Sequence, residues 1–119
     1  DVLRRQMFHA AAKRHNLPVL CVNLVGGNVS LQFDGGSLAA KPDGLAFEPV
    51  HFDEHVEVVN LADAWIDDPA PIALAELHYR ALVQGIGDYG KKFGFTKAVL
   101  GLSGGIDSAL TAVLAALPY

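Results

Sequence analysis

The pattern of hydrophobic and polar positions divides the chain into two regimes. Over Val2–His15, Leu3, Met7 and Ala10/Ala11 recur at helical spacing, with Arg4, Arg5, Lys13 and Arg14 mostly off that stripe. This predicts a helix, ended by Asn16 and Pro18, with the arginines on a solvated face. Val19–Val25 is a compact apolar run rich in β-formers and predicts a strand buried on both faces. Gly26-Gly27-Asn28 predicts a turn, and Leu31–Phe33 a short strand broken by Asp34-Gly35-Gly36. Ser37–Ala40 and Leu45–Pro49 read as strands around Lys41-Pro42-Asp43-Gly44, a hairpin loop in which Pro presets φ and Gly takes positive φ. In His55–Leu61, Val56, Val58 and Val59 predict one more strand, with Glu57 and Asn60 more exposed.

The pattern changes at Asp63–Pro71, where prolines and acids read as a linker, with Trp65 as an anchor between domains. From Ile72 it becomes helical, with Leu74, Leu77, Ala81, Leu82, Ile86 and Tyr89 at three- and four-residue steps. Gly85, Gly87 and Gly90 are expected to weaken the end of this helix by up to ~1 kcal/mol each. Lys97–Leu102 is β-like and runs straight into Ser103-Gly104-Gly105-Ile106-Asp107-Ser108. Ala109–Leu117 then predicts a helix stopped by Pro118.

Composition narrows the possibilities. The 119 residues are 51% hydrophobic and 18% charged, enough for a core and against wholesale disorder. Nine basic against thirteen acidic side chains give a net charge of −4, which argues against a nucleic-acid or anionic-membrane binder. A single cysteine, Cys21, excludes an internal disulfide framework, and its apolar run marks it as core packing. The longest nearly apolar run, Ala109–Leu117, falls short of the ~20 residues of a membrane span. The chain starts at Asp1 and stops just after a helical run, so the expectation is an internal piece of a longer protein.

The most informative stretch is the one around Ser103. A β-like run, then a glycine-rich loop, then a helix makes an anion site, because the first helical N–H groups lack partners and carry the positive end of the dipole. Gly104 and Gly105 let the backbone approach phosphate oxygens, and Ser103 and Ser108 add hydroxyl donors. Asp107 should either cap the helix or hold a Mg²⁺ that bridges the phosphates. The P-loop pattern fails for want of a Gly-Lys pair, and the dinucleotide fingerprint fails because Ser103 stands where its second Gly belongs. Gly101-Leu102-Ser103-Gly104-Gly105 does match G-x-S-x-G, the nucleophile elbow of serine hydrolases. A ligand-free glycine turn is a further alternative.

Ser103-Gly104-Gly105-Ile106-Asp107-Ser108 resembles the S-G-G-x-D-S pyrophosphate loop of the ATP pyrophosphatases, which adenylate an acceptor and release pyrophosphate. Ala81-Leu82, Gly85, Asp88-Tyr89, and Lys92 before Gly94-Phe95 are similar to the segment that enters this loop in NAD synthetases. Asn23-Leu24-Val25-Gly26-Gly27, followed by Phe33-Asp34-Gly35-Gly36-Ser37, is similar to the final strands of a nitrilase-type amidase. The two halves in this order resemble the glutamine-dependent NAD synthetase family.

The resemblance implies an α/β fold. Residues 1–62 would be the C-terminal strands of a nitrilase-like α/β/β/α sandwich, 63–71 the linker, and 72–119 the first helix–strand–loop–helix of a Rossmann-like, parallel-sheet domain of the adenine nucleotide α-hydrolase type. It implies ATP-dependent amidation of deamido-NAD to NAD with ammonia from glutamine, releasing AMP and pyrophosphate. ATP and pyrophosphate would lie on Gly101, Leu102, Ser103, Gly104, Gly105, Ile106, Asp107 and Ser108, with Mg²⁺ on Asp107. The glutaminase Glu, Lys and Cys would lie upstream, so no catalytic residue is assigned here and these residues alone are expected to be inactive. A cytoplasmic homo-oligomer, with no nucleic-acid or membrane partner, is implied for the whole protein.

Three positions depart from the family pattern: Val29 where an acid is usual, and Gln84 and Gly87 where an apolar residue and Arg are commoner. Cys21 stands where the family often has Tyr. A serine hydrolase using Ser103, another S-G-G-x-D-S adenylating ligase and a non-catalytic interaction segment stay open as alternatives. His51 and His55, with Asp53 and Glu54 between them, lack the spacing of H-E-x-x-H and read as a solvated loop rather than metal ligands.

Overall fold

The structure is a computed structural model that describes residues 2–28, 30–47, 51–62 and 72–119. The predicted linker, with Trp65, and the departure at Val29 lie outside the described residues. The chain divides into two compact units, one made of residues 1–25 and 34–72, the other of residues 26–33 and 73–119.

The first unit begins with helix α1 (Val2–His15), as the sequence predicts. Asn16 enters the left-handed region at φ 51°, and the Leu17 N–H donates back to the Ala12 carbonyl at 3.2 Å, closing the helix end. The buried face is not the expected stripe, because Leu3 and Met7 are more than 60% exposed while Arg5 and Ala12 are buried. Arg5, Phe8 and Ala12 follow at helical steps, and the small Ala12 lets the helix approach the sheet closely. That sheet has the order β1–β4–β5, from β1 (Val19–Cys21), β4 (Leu38–Lys41) and β5 (Gly44–Phe47). Its pairs are antiparallel, with Leu20 opposite Ala39 and Lys41 opposite Gly44. Pro42 and Asp43 alone form the turn, so Gly44 is a strand residue and does not need positive φ. Ala12, Leu38 and Ala40 form the core, with Phe8, Val19, Cys21 and Leu45 packed around it. Cys21 is therefore a packing residue, as expected.

Two predicted strands of this region change. The run Val19–Val25 stops pairing after Cys21, and Leu20 and Val22 are exposed rather than buried on two faces. His55–Leu61 forms no strand, with Val56 and Val58 more than 90% exposed. A β-rich sequence becomes a strand only where a neighbouring edge accepts its hydrogen bonds, and Val22–Leu24 and His55–Leu61 join no ladder among the described residues.

The second unit contains a strand pair, β2 (Val25–Asn28) with β3 (Leu31–Asp34), of which residues 26–33 belong to the unit. The expected turn at Gly26-Gly27-Asn28 is thus strand. Helix α2 (Leu74–Phe93) runs straight through Gly85, Gly87 and Gly90. A Cβ on Gly90 would overlap the Tyr119 hydroxyl, and one on Gly87 would stand 3.0 Å from Pro118 Cβ. These glycines therefore serve close approach rather than helix termination. Gly94, at φ 71°, ends the helix, with Phe95 N–H on the Gly90 carbonyl at 2.8 Å and Gly94 N–H on the Lys91 carbonyl at 3.2 Å. Tyr89, Phe93 and Phe95 cluster over that end. α2 packs against α3 (Ile106–Ala116), which begins three residues earlier than predicted. Lys97–Leu102 is not a strand, and Val99 is fully exposed. No described helix is long and apolar enough to cross a membrane.

Gly36 offers a test of the first unit. It sits at φ +59°, and a Cβ there would meet Arg4 Nη2 and His51 Cε1 at 2.5 Å. Gly36→Ala is expected to cost at least the ~1–2 kcal/mol of a left-handed alanine, read as a lower urea midpoint. Gly44→Ala, with nothing within 4 Å of the new methyl, should stay within about 0.5 kcal/mol. Equal shifts would show that the crowding at Gly36 is without consequence.

Candidate functional site

The loop predicted to hold phosphate is an open turn at the start of α3. Gly104 takes φ 83°, a conformation costly for residues with a Cβ, and Gly105 is the extended N-cap at φ −82°, ψ 160°. No side chain caps the helix, so the N–H groups of Ile106, Asp107 and Ser108 are left to an external acceptor. The Ala109 N–H makes the first helical bond, to the Gly105 carbonyl at 3.1 Å. The loop is tied internally: Ser103 Oγ lies 3.0 Å from Ser108 Oγ, and the Ser108 hydroxyl is 2.9 Å from the Gly105 carbonyl. Gly101 to Asp107 are exposed and Ser108 is half-buried.

This arrangement suits an anion. The helix N-terminus offers N–H donors and the positive end of a dipole, and two hydroxyls flank it. Asp107 is in the first turn, and of the two expected roles, capping is excluded. An exposed carboxylate with no intramolecular duty, beside an anion site, is the donor type Mg²⁺ takes together with phosphate oxygens. The elbow alternative needs a base on the Ser103 hydroxyl; among the described residues its partner is Ser108 Oγ, at 3.0 Å.

Polar groups that the pattern did not single out are assembled elsewhere. Within the first unit, Asn23 Nδ2 donates to Gly35 O at 2.7 Å and to Asp34 Oδ1 at 3.1 Å, and the Asn23 N–H donates to Ser37 Oγ at 3.0 Å. Arg4 pairs with Asp34 at 3.3 Å, and Nδ1 of the buried His51 stands 3.4 Å from Asp34 Oδ2. Arg4 and Arg5 are therefore not a solvated face, and His51 is not in a solvated loop. For Arg4 and His51 the Asp34 carboxylate and the turn at Gly35-Gly36 draw the side chains inward. His55 pairs with Glu57 at 2.7 Å at the surface. No group of three metal-ligating side chains occurs among the described residues.

Within the second unit, the Gly27 N–H donates to Asp88 Oδ2 at 2.8 Å and Gln32 Nε2 donates to Gln84 Oε1 at 2.6 Å. The Lys92 ammonium donates to the Gly27 carbonyl. Asp88 and Lys92 entered the sequence reading only as part of a resemblance. The available signal was their spacing, since residues 84, 88 and 92 share one helix face.

Residues 78–117 match the family model described as NAD synthase. The chain is 46% identical to the glutamine-dependent NAD(+) synthetase of Rhodobacter capsulatus, over 96% of this chain and 22% of that protein. It is 42% identical to the glutamine-dependent NAD(+) synthetase of Synechocystis sp., over 95% of this chain and 22% of that protein. The structure superposes on the glutamine-dependent NAD+ synthetase of Acinetobacter baumannii, solved in complex with adenosine diphosphate. The TM-score is 0.88 at 32% identity, covering 96% of this chain and 23% of that one. The chain thus spans about a fifth of the length of the relatives it matches. Mixed α/β in fold, it is similar along nearly its whole length to one stretch of the glutamine-dependent NAD(+) synthetases, with residues 78–117 matching the NAD synthase family model.

Proposed function

We propose that this chain contributes the ATP-pyrophosphate loop of a glutamine-dependent NAD synthetase. Glutamine supplies ammonia, ATP adenylates the nicotinate carboxylate of deamido-NAD, pyrophosphate leaves, and ammonia displaces AMP to give NAD. The observation that carries the reading is the uncapped start of α3 behind Ser103-Gly104-Gly105, in a segment matching NAD synthases. The Acinetobacter baumannii relative was solved in complex with adenosine diphosphate, which supports nucleotide use by the whole protein.

The loop's work is electrostatic. Negative charge builds on the departing pyrophosphate, and fixed N–H groups of Ile106, Asp107 and Ser108 stabilise it without reorganising. Ser103 would bind a phosphate oxygen by turning its single hydroxyl proton away from Ser108, whose own proton goes to the Gly105 carbonyl. Asp107 would hold Mg²⁺, which supplies charge neutralisation for the phosphates.

In this reading residues 1–62 belong to a nitrilase-like glutaminase domain, 63–71 to the linker and 72–119 to the Rossmann-like synthetase domain. The exposed apolar run Val99, Leu100 and Leu102, together with Leu110 and Val113 of α3, supports that last assignment, since a parallel sheet covers both faces of its strands. No residue of this chain is assigned to glutaminase catalysis. ATP is an intracellular nucleotide, which supports a cytoplasmic site of action.

In the whole protein, Asp107→Ala is expected to cut NAD formation severely and leave glutamine hydrolysis largely intact. The ratio of the two rates is the readout, and equal loss of both in a folded protein would refute the role given to Asp107. Ser103→Ala removes one hydrogen bond to a charged group and should weaken ATP use by about ten- to a hundred-fold. A triad nucleophile would instead lose on the order of 10⁶ in turnover. Stoichiometric fluorophosphonate labelling of Ser103, with esterase activity, would establish the hydrolase; absence of labelling with ATP-dependent protection of the loop from proteolysis is the expected result.

A further inference from the structure

Three side chains spaced four residues apart on α2 all bond the strand pair Gly26–Phe33. Gln84 accepts from Gln32, Asp88 accepts from the Gly27 N–H, and Lys92 donates to the Gly27 carbonyl. The fit between helix and strands is built with glycine. A Cβ on Gly26, at φ +112°, would stand 2.9 Å from Asp88 Oδ2, and one on Gly27 would stand 3.0 Å from Gln32 Oε1 and 3.8 Å from Gly85 Cα. A Cβ on Gly85 would stand 3.1 Å from the same Gln32 oxygen. Helix and strand backbones therefore approach closely at Gly27 and Gly85, with the Gln32 amide and the Asp88 carboxylate packed against the contact.

The chain enters this unit at Gly26 and leaves it at Phe33, while Val25 and Asp34 on either side group with the first unit. Asp34 is the residue that Arg4 and Asn23 hold there. α2 packs on α3, and α3 opens at the Ser103–Ser108 loop. Residues 26–33 are thus bonded to α2 and continuous in sequence with the first unit at both ends.

We propose that Asp88 is a positioning residue that locks strands Gly26–Phe33 to α2 and thereby links glutamine hydrolysis to amide formation. The proposal rests on the two-activity reading above. Asp88 touches no substrate in it; the residue acts through the Gly27 backbone. The bond contributes to coupling to the extent that it is made in one functional state and lost in another.

The test uses the whole protein and compares NAD formation from glutamine with NAD formation from added ammonia, together with the glutamine consumed per NAD formed. Asp88→Ala is expected to raise glutamine consumed per NAD by about ten-fold, the lower end of the scale for a hydrogen bond to a charged group. Ammonia-driven NAD formation should stay within about three-fold, because the loop keeps its own donors. Asp88→Asn keeps an oxygen that accepts the Gly27 N–H, and should hold the ratio within about three-fold of the original. Should Asp88→Ala fail to fold, Gln32→Ala carries the same readout, with an expected rise of about three- to ten-fold for a neutral bond. An unchanged ratio, equal damage by Asp88→Asn and Asp88→Ala, or parallel loss of both nitrogen sources at constant ratio would overturn the proposal. Absence of ammonia-driven NAD formation in the unsubstituted protein would instead overturn the two-activity reading beneath it.

Discussion

The carboxylate of Asp34 is the point on which the first unit depends. It takes a hydrogen bond from Asn23 at 3.1 Å and pairs with Arg4 at 3.3 Å, and His51 stands beside it at 3.4 Å. Helix α1, the stretch after β1 and the segment at His51 are thereby drawn to one turn. The firmest contact there is neutral, from Asn23 to the Gly35 carbonyl at 2.7 Å. The arginine pair is longer and part-exposed, so solvent screening reduces its worth. Position rather than strength makes Asp34 important. Its own carbonyl accepts from Phe52 at 2.9 Å, and the Gly35 N–H donates to Leu24 at 2.9 Å, so backbone and side chain hold the same place. The apolar core of this unit is small, centred on Ala12, Leu38 and Ala40, which leaves much of its specificity to these polar contacts.

The second unit rests on glycine in a setting where local propensity argues against it. Three glycines inside α2 cost up to ~1 kcal/mol each relative to alanine. Each admits a neighbour that a methyl group would displace: Gln32 at Gly85, Pro118 at Gly87 and Tyr119 at Gly90. The family departures at Gln84 and Gly87 gain an account here. Gln84 has Gln32 as its partner, and Gly87 has Pro118 against it.

The candidate site was the part most legible from residues alone. An anion loop at a helix start depends on contiguous residues, so Ser103, Gly104, Gly105, Asp107 and Ser108 could be placed without knowing what packs on them. The details were not legible. The choice against capping by Asp107, and the bond between the two serines, depend on the φ of Gly104 and on where the first helical turn begins. The contacts of Gln84, Asp88 and Lys92 were hidden for a different reason. Their partners lie 52 to 65 positions away in sequence, and periodicity within one helix says nothing about what lies across from it.

By itself the sequence determined the elements whose hydrogen bonds close locally. These are α1 over Val2–His15 with its stop at Asn16, the presence of a hairpin turn between Lys41 and Gly44, the long helix after residue 72, and the glycine loop opening α3. Only the tertiary structure decided which apolar runs became strands and which helix face went inward. Gly26–Asn28 pairs with Leu31–Asp34, whereas His55–Leu61 and Lys97–Leu102 do not pair despite better β composition. Arg5 is buried and Leu3 is not, because the sheet and its polar neighbours, not the helix's own period, choose the covered face. The physical reason is common to all of these. A helix satisfies its backbone within one segment, but a strand, a buried charge and a close glycine contact each need a partner that is distant in sequence.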